Sequence, residues 1–108
     1  MEVTAINSEL IDCIKNLRQS SEKIFKLAQE KAEAEKDYRK ALALEILELK
    51  EAKHPTTLIP DIARGNTSEL KFKRDLAEAK YNSARDFIEA QQTAISAYQS
   101  ILRYQEEV

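Results

Sequence analysis

Two long segments of this chain repeat their apolar residues at helical spacing, and the one stretch between them holds both prolines and the only glycine. The spacing predicts helices over residues 3–53 and 67–107, joined by a connector at residues 54–66. One glycine and two prolines provide too few turns for a multi-stranded sheet. The sequence therefore predicts an all-α fold, a long antiparallel helical hairpin that forms a single domain over residues 1–108.

The first segment carries its apolar residues at steps of mostly three, four or seven, which places them on one face of a helix. Ser20 and Ser21 interrupt this face, but serine is not a helix breaker of the order of glycine or proline. We therefore predict one unbroken helix. The apolar positions are Ile6, Leu10, Cys13 or Ile14, Leu17, Ile24, Leu27, Ala28, Ala34, Tyr38, Leu42, Ile46 and Leu49.

The second segment holds two series that repeat every seven residues. These are Tyr81, Ile88, Ile95 and Leu102, and Phe87, Ala94, Ile101 and Val108, flanked by Ala77, Ala84 and Tyr98. Together they form an apolar stripe wider than the seam of a two-stranded coiled coil. Folding about the middle of the connector pairs positions whose numbers add up to about 120. Ala32 and Ala34 are then expected to face Phe87 and Ile88, and Leu17 to face Leu102.

A two-helix hairpin has no third element to cover so wide a stripe, and an exposed stripe is a long apolar patch. We therefore expect the chain to associate with itself as a homodimer or tetramer, most simply as an antiparallel pair of hairpins in a four-helix bundle. The residues expected at this interface are Leu17, Ile24, Tyr38, Leu42, Ile46, Phe87, Ile88, Ile95, Tyr98 and Leu102.

The connector contains a short helix signal of its own. Pro60 suits a first helical turn, and Gly65 suits a helix end, so one turn from Asp61 to Arg64 is expected. Asn66, three residues before Glu69, has the spacing of a capping box that opens the second long helix. The connector also contains three apolar residues. They either plug the end of the bundle, which is favoured, or form a tip that docks a partner protein with Leu58, Ile59, Ile62 and Arg64.

Seventeen basic and nineteen acidic residues give a net charge of −2, so no global field attracts nucleic acid or an anionic membrane. The best local candidate for phosphate contacts is a basic cluster in the second helix: Lys71, Lys73, Arg74, Lys80 and Arg85. Asp75, Glu78 and Asp86 lie among these residues and weaken the signal. DNA binding is therefore kept as the less favoured alternative to protein binding.

No group of residues in the sequence resembles a catalytic, cofactor or metal site. His54 is the only histidine and sits at the expected helix end, and Cys13 lies in an apolar stripe, where a buried thiol acts as a small hydrophobic residue. One glycine cannot build a phosphate-binding loop. We expect a non-enzymatic protein with no cofactor and no metal. The single cysteine, the lack of a long apolar run and the Met1-Glu2 start favour the cytoplasm.

Three stretches resemble a group of small coiled-coil proteins from temperate phages and prophages of Gram-positive bacteria. They are Ala34–Ala43, Thr57–Gly65, in which Ile-Pro-Asp-Ile-Ala-Arg-Gly is the most specific element, and Glu69–Ala79 with the following Tyr81 and Ala84. The resemblance covers about residues 30–100. It implies a coiled-coil protein encoded near replication and recombination genes, with no assigned activity and no catalytic residues. We therefore expect a module that binds and modulates a host or phage factor of replication, recombination or defence.

Overall fold

The computed structural model describes residues 2–107 and contains three helices: α1 at Val3–Glu51, α2 at Ile59–Asn66 and α3 at Ser68–Glu107. Within these residues there is no strand, which confirms the all-α prediction. The helix α1 continues through Ser20 and Ser21, as predicted. Val108, the last member of one predicted apolar series, lies outside the described residues.

The end of α1 comes two residues earlier than predicted and is built by backbone hydrogen bonds. Lys53 has a φ of 60°, the left-handed conformation that is common just after a helix. The N–H of Lys53 donates to the carbonyl of Lys50 at 3.0 Å, and the N–H of His54 donates to that of Leu49 at 3.1 Å. These two bonds define a Schellman motif, and Pro55 then prevents the helix from resuming.

The helix α2 is longer than the single turn that was predicted at Asp61–Arg64. It has eight residues, with Pro60 and Asp61 in its first turn, as expected, and Arg64 in its last. Gly65 was expected to end the helix, but it lies inside α2 and its φ is not positive. That expectation was wrong because a helix stop at glycine requires the left-handed conformation, which Gly65 does not adopt.

Thr67 is the one residue between α2 and α3, and it is buried. Its hydroxyl donates to the carbonyl of Ala63 at 2.8 Å, while its own carbonyl accepts from the N–H of Lys71 at 3.0 Å. Asn66 does not open α3 as predicted. It is the last residue of α2, and its side-chain amide donates to Glu45 Oε1 at 2.5 Å.

The chain divides into two compact units. The first, residues 27–81, contains the end of α1, all of α2 and the start of α3. Its core consists of Leu49, Ile59 and Ala63, against which Leu42, Ile46 and Ile62 pack. The helix α2 thus lies beside the last turns of α1.

The contacts within residues 27–81 show that α1 and α3 are antiparallel, but their register differs from the prediction. Lys31 Nζ lies 4.8 Å from the ring centre of Tyr81, whereas the predicted register places Lys31 opposite position 89. Ala32 shares a cleft with Tyr81 and Ala34 shares one with Leu70, so neither faces Phe87 or Ile88. The register was wrong because α2 packs beside α1, which moves the turn to the beginning of the connector.

The second unit combines the part of α1 up to Lys26 with α3 from Asn82 onwards. Ile6 is fully buried and Cys13 is buried, so the thiol is a packed apolar group, as expected. On α3 the partly buried residues include a series at alternating steps of four and three. We call this series the inner stripe: Ala84, Ile88, Gln91, Ile95, Tyr98, Leu102 and Gln105. This spacing is typical of a coiled-coil seam.

Gly65 is the position where one substitution should raise stability. Its φ is not positive, and a Cβ built there meets no atom within 4 Å. We expect Gly65→Ala to increase the free energy of unfolding by about 0.5–1 kcal/mol, since alanine loses less conformational freedom in a helix. Urea unfolding followed by circular dichroism measures this. Ala79→Gly, at an exposed position of α3, is the control and should lower stability by a similar amount; a loss of stability in Gly65→Ala would contradict the prediction.

Candidate partner-binding surfaces

The residues predicted to dock a partner at the connector separate into buried and exposed ones. Ile59 is 4% exposed and belongs to the core, and Ile62 packs against that core. These two residues fill the core between α2 and α1, in agreement with the interpretation that the sequence favoured. Leu58 is 50% exposed, and Arg64 also reaches solvent. We call Leu58, Asp61 and Arg64 the α2 tip.

The charged residues of the α2 tip lie one turn apart on the helix. Arg64 Nη1 is 3.5 Å from Asp61 Oδ1, and both side chains are mostly exposed. Such a surface ion pair contributes little to stability because water screens it. Arg64 therefore stays available to a carboxylate of another molecule.

Arg74, the middle residue of the basic cluster, is occupied by contacts within the chain. Its guanidinium lies over the ring of Tyr38, 4.5 Å from the ring centre. It also donates to Asp75 at 3.0 and 3.1 Å and lies 3.5 Å from Glu35. The hydrogen bond to Asp75 raises the pKa of Arg74 above its ordinary value. Arg74 therefore fastens α3 to α1, a role that the sequence did not reveal.

The other members of the basic cluster have different surroundings. Lys71, Lys73 and Lys80 are exposed, and within the described part of the chain none of them has an ion-pair partner. Arg85 belongs to the second unit and lies 3.5 Å from Asp86. The structure thus leaves three lysines of α3 as candidates for phosphate contacts.

A cleft of about 630 Å³ lies between α1 and α3 in residues 27–81. It is lined by Ala28, Lys31, Ala32, Glu35, Arg74, Glu78 and Tyr81. The two alanines leave space opposite Tyr81, and the charged side chains around it are of both signs. Such a lining suits an uncharged side chain of a partner better than a free anion or cation.

The single chain itself covers most of the residues that were predicted at an oligomer interface. Tyr38 is buried beneath Arg74, and Leu42 and Ile46 pack against the core around α2. A further six are partly buried: Leu17, Ile24, Ile88, Ile95, Tyr98 and Leu102. Only Phe87, at 43%, is classed as exposed.

Large apolar side chains are nevertheless exposed at other positions. Phe25 is 77% exposed, Tyr104 69% and Phe72 63%. Leu44 and Leu47 of α1 are each 51% exposed. Single apolar side chains that are scattered over a protein surface are common, so the exposure of these five residues does not by itself indicate a contact.

Residues 2–107 contain no group of three or more His, Cys, Asp or Glu side chains placed to hold a metal ion. In the same range, no helix combines the length and the apolar character that crossing a membrane requires.

The role of Arg74 can be tested by its effect on stability. We expect Arg74→Ala to lower the free energy of unfolding by about 1–2 kcal/mol, because the stack on Tyr38 and the packing of the side-chain stem are both lost. The neighbouring Lys73→Ala removes an exposed lysine and should change stability by less than about 0.5 kcal/mol. Equal effects of the two substitutions in urea unfolding would show that Arg74 does not hold the helices together.

No protein-family model matches this sequence, and neither curated proteins nor solved structures show a significant similarity to it.

Proposed function

We propose that this protein is a non-enzymatic helical-hairpin module of a temperate phage or prophage, and that it acts by binding a host or phage protein of replication, recombination or defence. The phage origin rests on the resemblance of the three sequence stretches. The binding role is supported most by the α2 tip, where the exposed Leu58 lies next to the buried Ile59. We place the protein in the bacterial cytoplasm.

The α2 tip has the chemistry of a small docking surface. Leu58 exposes an apolar side chain at the start of α2, and Arg64 exposes a guanidinium in its last turn. Arginine is enriched among the residues that carry most of the binding energy at protein interfaces. The helix α2 packs on α1 through the core of Leu49, Ile59 and Ala63, so the position of the α2 tip is fixed before a partner binds. A prearranged surface loses less conformational entropy on binding.

We also propose that the chain associates with itself. A folded monomer of 12.4 kDa is expected to expose about 6,100 Å² of surface, whereas this chain exposes 8070 Å². The surplus of about 2,000 Å² is larger than the roughly 800 Å² that each partner buries in a standard interface. Self-association would therefore leave ample surface for a second, different partner.

The docking role of the α2 tip is tested by Leu58→Asp. Leu58 precedes α2 as its N-cap residue, a position where aspartate favours the helix, so the substitution removes the apolar group without opposing the fold. We expect immobilised Leu58→Asp to capture its partner from a host lysate at least about tenfold less well than wild type, equivalent to about 1.4 kcal/mol. Quantitative mass spectrometry of the captured proteins measures the loss.

The control for this experiment is Leu47→Glu, which removes a leucine of nearly equal exposure from α1. It should capture the same proteins as wild type. Equal capture by all three proteins would mean that the α2 tip is not the docking site. Circular dichroism of each variant verifies that helicity is unchanged.

A DNA-associated accessory function is the second candidate, and the observation in its favour is the set of exposed lysines on α3. Arg74 is not available to it, and Asp75 and Glu78 lie between the lysines. Three phosphate contacts would make the logarithm of the association constant fall with the logarithm of the salt concentration at a slope of only about −3, which is weak for a DNA-binding protein. Protein binding is therefore the better supported function.

The DNA alternative is tested by fluorescence anisotropy with labelled duplex DNA over a series of salt concentrations. We expect no saturable binding at micromolar protein even at low salt, because the net charge of the chain is negative. Binding that is steeply salt-dependent and is lost when Lys71, Lys73 and Lys80 are changed to alanine would instead establish the second function.

A further inference from the structure

The helix α3 carries a second stripe whose residues each precede a member of the inner stripe by one position. We call it the outer stripe: Phe87, Ala90, Ala94, Ala97, Ile101 and Tyr104. One position corresponds to a rotation of about 100° around the helix axis, so the two stripes lie on different faces of α3. Phe87, Ile101 and Tyr104 are 43%, 39% and 69% exposed. Apart from Ala94, which is partly buried, the outer stripe is thus a helix face that the single chain leaves exposed.

Four of the six residues of the outer stripe lie in a part of α3 that has no charge on any face. Residues 90–102 contain neither an acidic nor a basic side chain, although charged residues make up 33% of the chain. A helix face that is turned to solvent normally carries charged or other polar residues, and within this segment the outer stripe carries neither. A nucleic acid, a phosphorylated peptide or an acidic peptide would find no opposite charge here. The occupant that suits this surface is another uncharged helix face.

The outer stripe is nearly symmetric about its centre, with an aromatic residue at each end and two alanines in the middle. Only Ala90 and Ile101 differ in size, and this near-symmetry favours a second copy of this chain. When two outer stripes run antiparallel, Ala94 meets Ala97 of the other copy, Ala90 meets Ile101 and Phe87 meets Tyr104. The alanines allow a close approach at the centre, and the aromatic pairs close both ends. A two-fold interface requires such self-complementarity, because every contact occurs twice.

We propose that two copies of this protein associate through the outer stripes of α3, antiparallel, with the two-fold axis between positions 95 and 96. The interface extends for about 26 Å, from Phe87 to Tyr104. Its centre coincides with the middle of residues 90–102, so no like charges meet within it. This inference rests on the proposed self-association and names the face that carries it.

Ala97→Glu tests the proposal directly. Ala97 is exposed in the single chain, and glutamate is a good helix former, so the substitution should not disturb the fold of one copy. In the dimer it would place a carboxylate against Ala94 of the other copy twice. We expect light scattering after size-exclusion chromatography to give 12.4 kDa for Ala97→Glu and twice that mass for wild type.

Ala79→Glu is the matched control, since Ala79 is also an exposed alanine of α3 but lies before the outer stripe. It should remain a dimer, and circular dichroism should show equal helicity for both variants. A wild-type monomer at every concentration would overturn both the self-association and the outer-stripe interface. A wild-type dimer that Ala97→Glu does not dissociate would overturn the outer-stripe interface alone.

Spin labels determine the direction and register of the pairing. With Cys13→Ala to remove the native thiol, labels at Ser83→Cys should be separated by about 38 Å along the helices, whereas labels at Ser96→Cys should lie within about 20 Å. Double electron–electron resonance measures both distances. Short distances at both positions would mean a parallel pairing, which would contradict the proposal.

Discussion

The packing of α2 against the end of α1 determines how the rest of residues 27–81 is arranged. Ile59 and Ala63 cover Leu49, and this contact holds α2 beside the last turns of α1. As a result α3 begins alongside Glu45, where Asn66 forms its hydrogen bond. Since α1 and α3 are continuous helices, the position of this first contact sets which side chains meet further along. The Lys31–Tyr81 and Tyr38–Arg74 contacts both follow from it.

The same packing explains why the sequence predicted the helices but not their register. Heptad spacing identifies which face of a helix is buried, and Pro55 marks where α1 must stop, because both signals are local. The register depends on whether α2 lies at the end of α1 or beside it. That choice depends on the packing of Leu49 against Ile59, which is a tertiary contact between α1 and α2. A local pattern carries no information about it.

The backbone at the two ends of the connector shows a second limit of sequence patterns. Glycine favours the left-handed conformation, yet in this chain that conformation belongs to Lys53, and Gly65 is helical. Lys53 adopts it because the Schellman bonds to Leu49 and Lys50 and the following proline offset its cost. Gly65 stays helical because α2 is continuous with the packed Ala63 and the buried Thr67. Local backbone hydrogen bonds thus outweigh residue preference at Lys53, and packing outweighs it at Gly65.

The candidate surfaces were predictable to different degrees for the same physical reason. The exposure of Leu58 and the burial of Ile59 depend on the direction of α2, so the sequence could only name both. Arg74 looked like a phosphate ligand, but in the correct register it meets Tyr38 and Glu35. The uncharged segment at residues 90–102 can be identified from the sequence alone. The lack of charge on every side of this segment does not depend on the register of α3 against α1. The inner stripe uses one side of this segment within the chain, and the outer stripe is the side that the proposed pairing of two copies would cover.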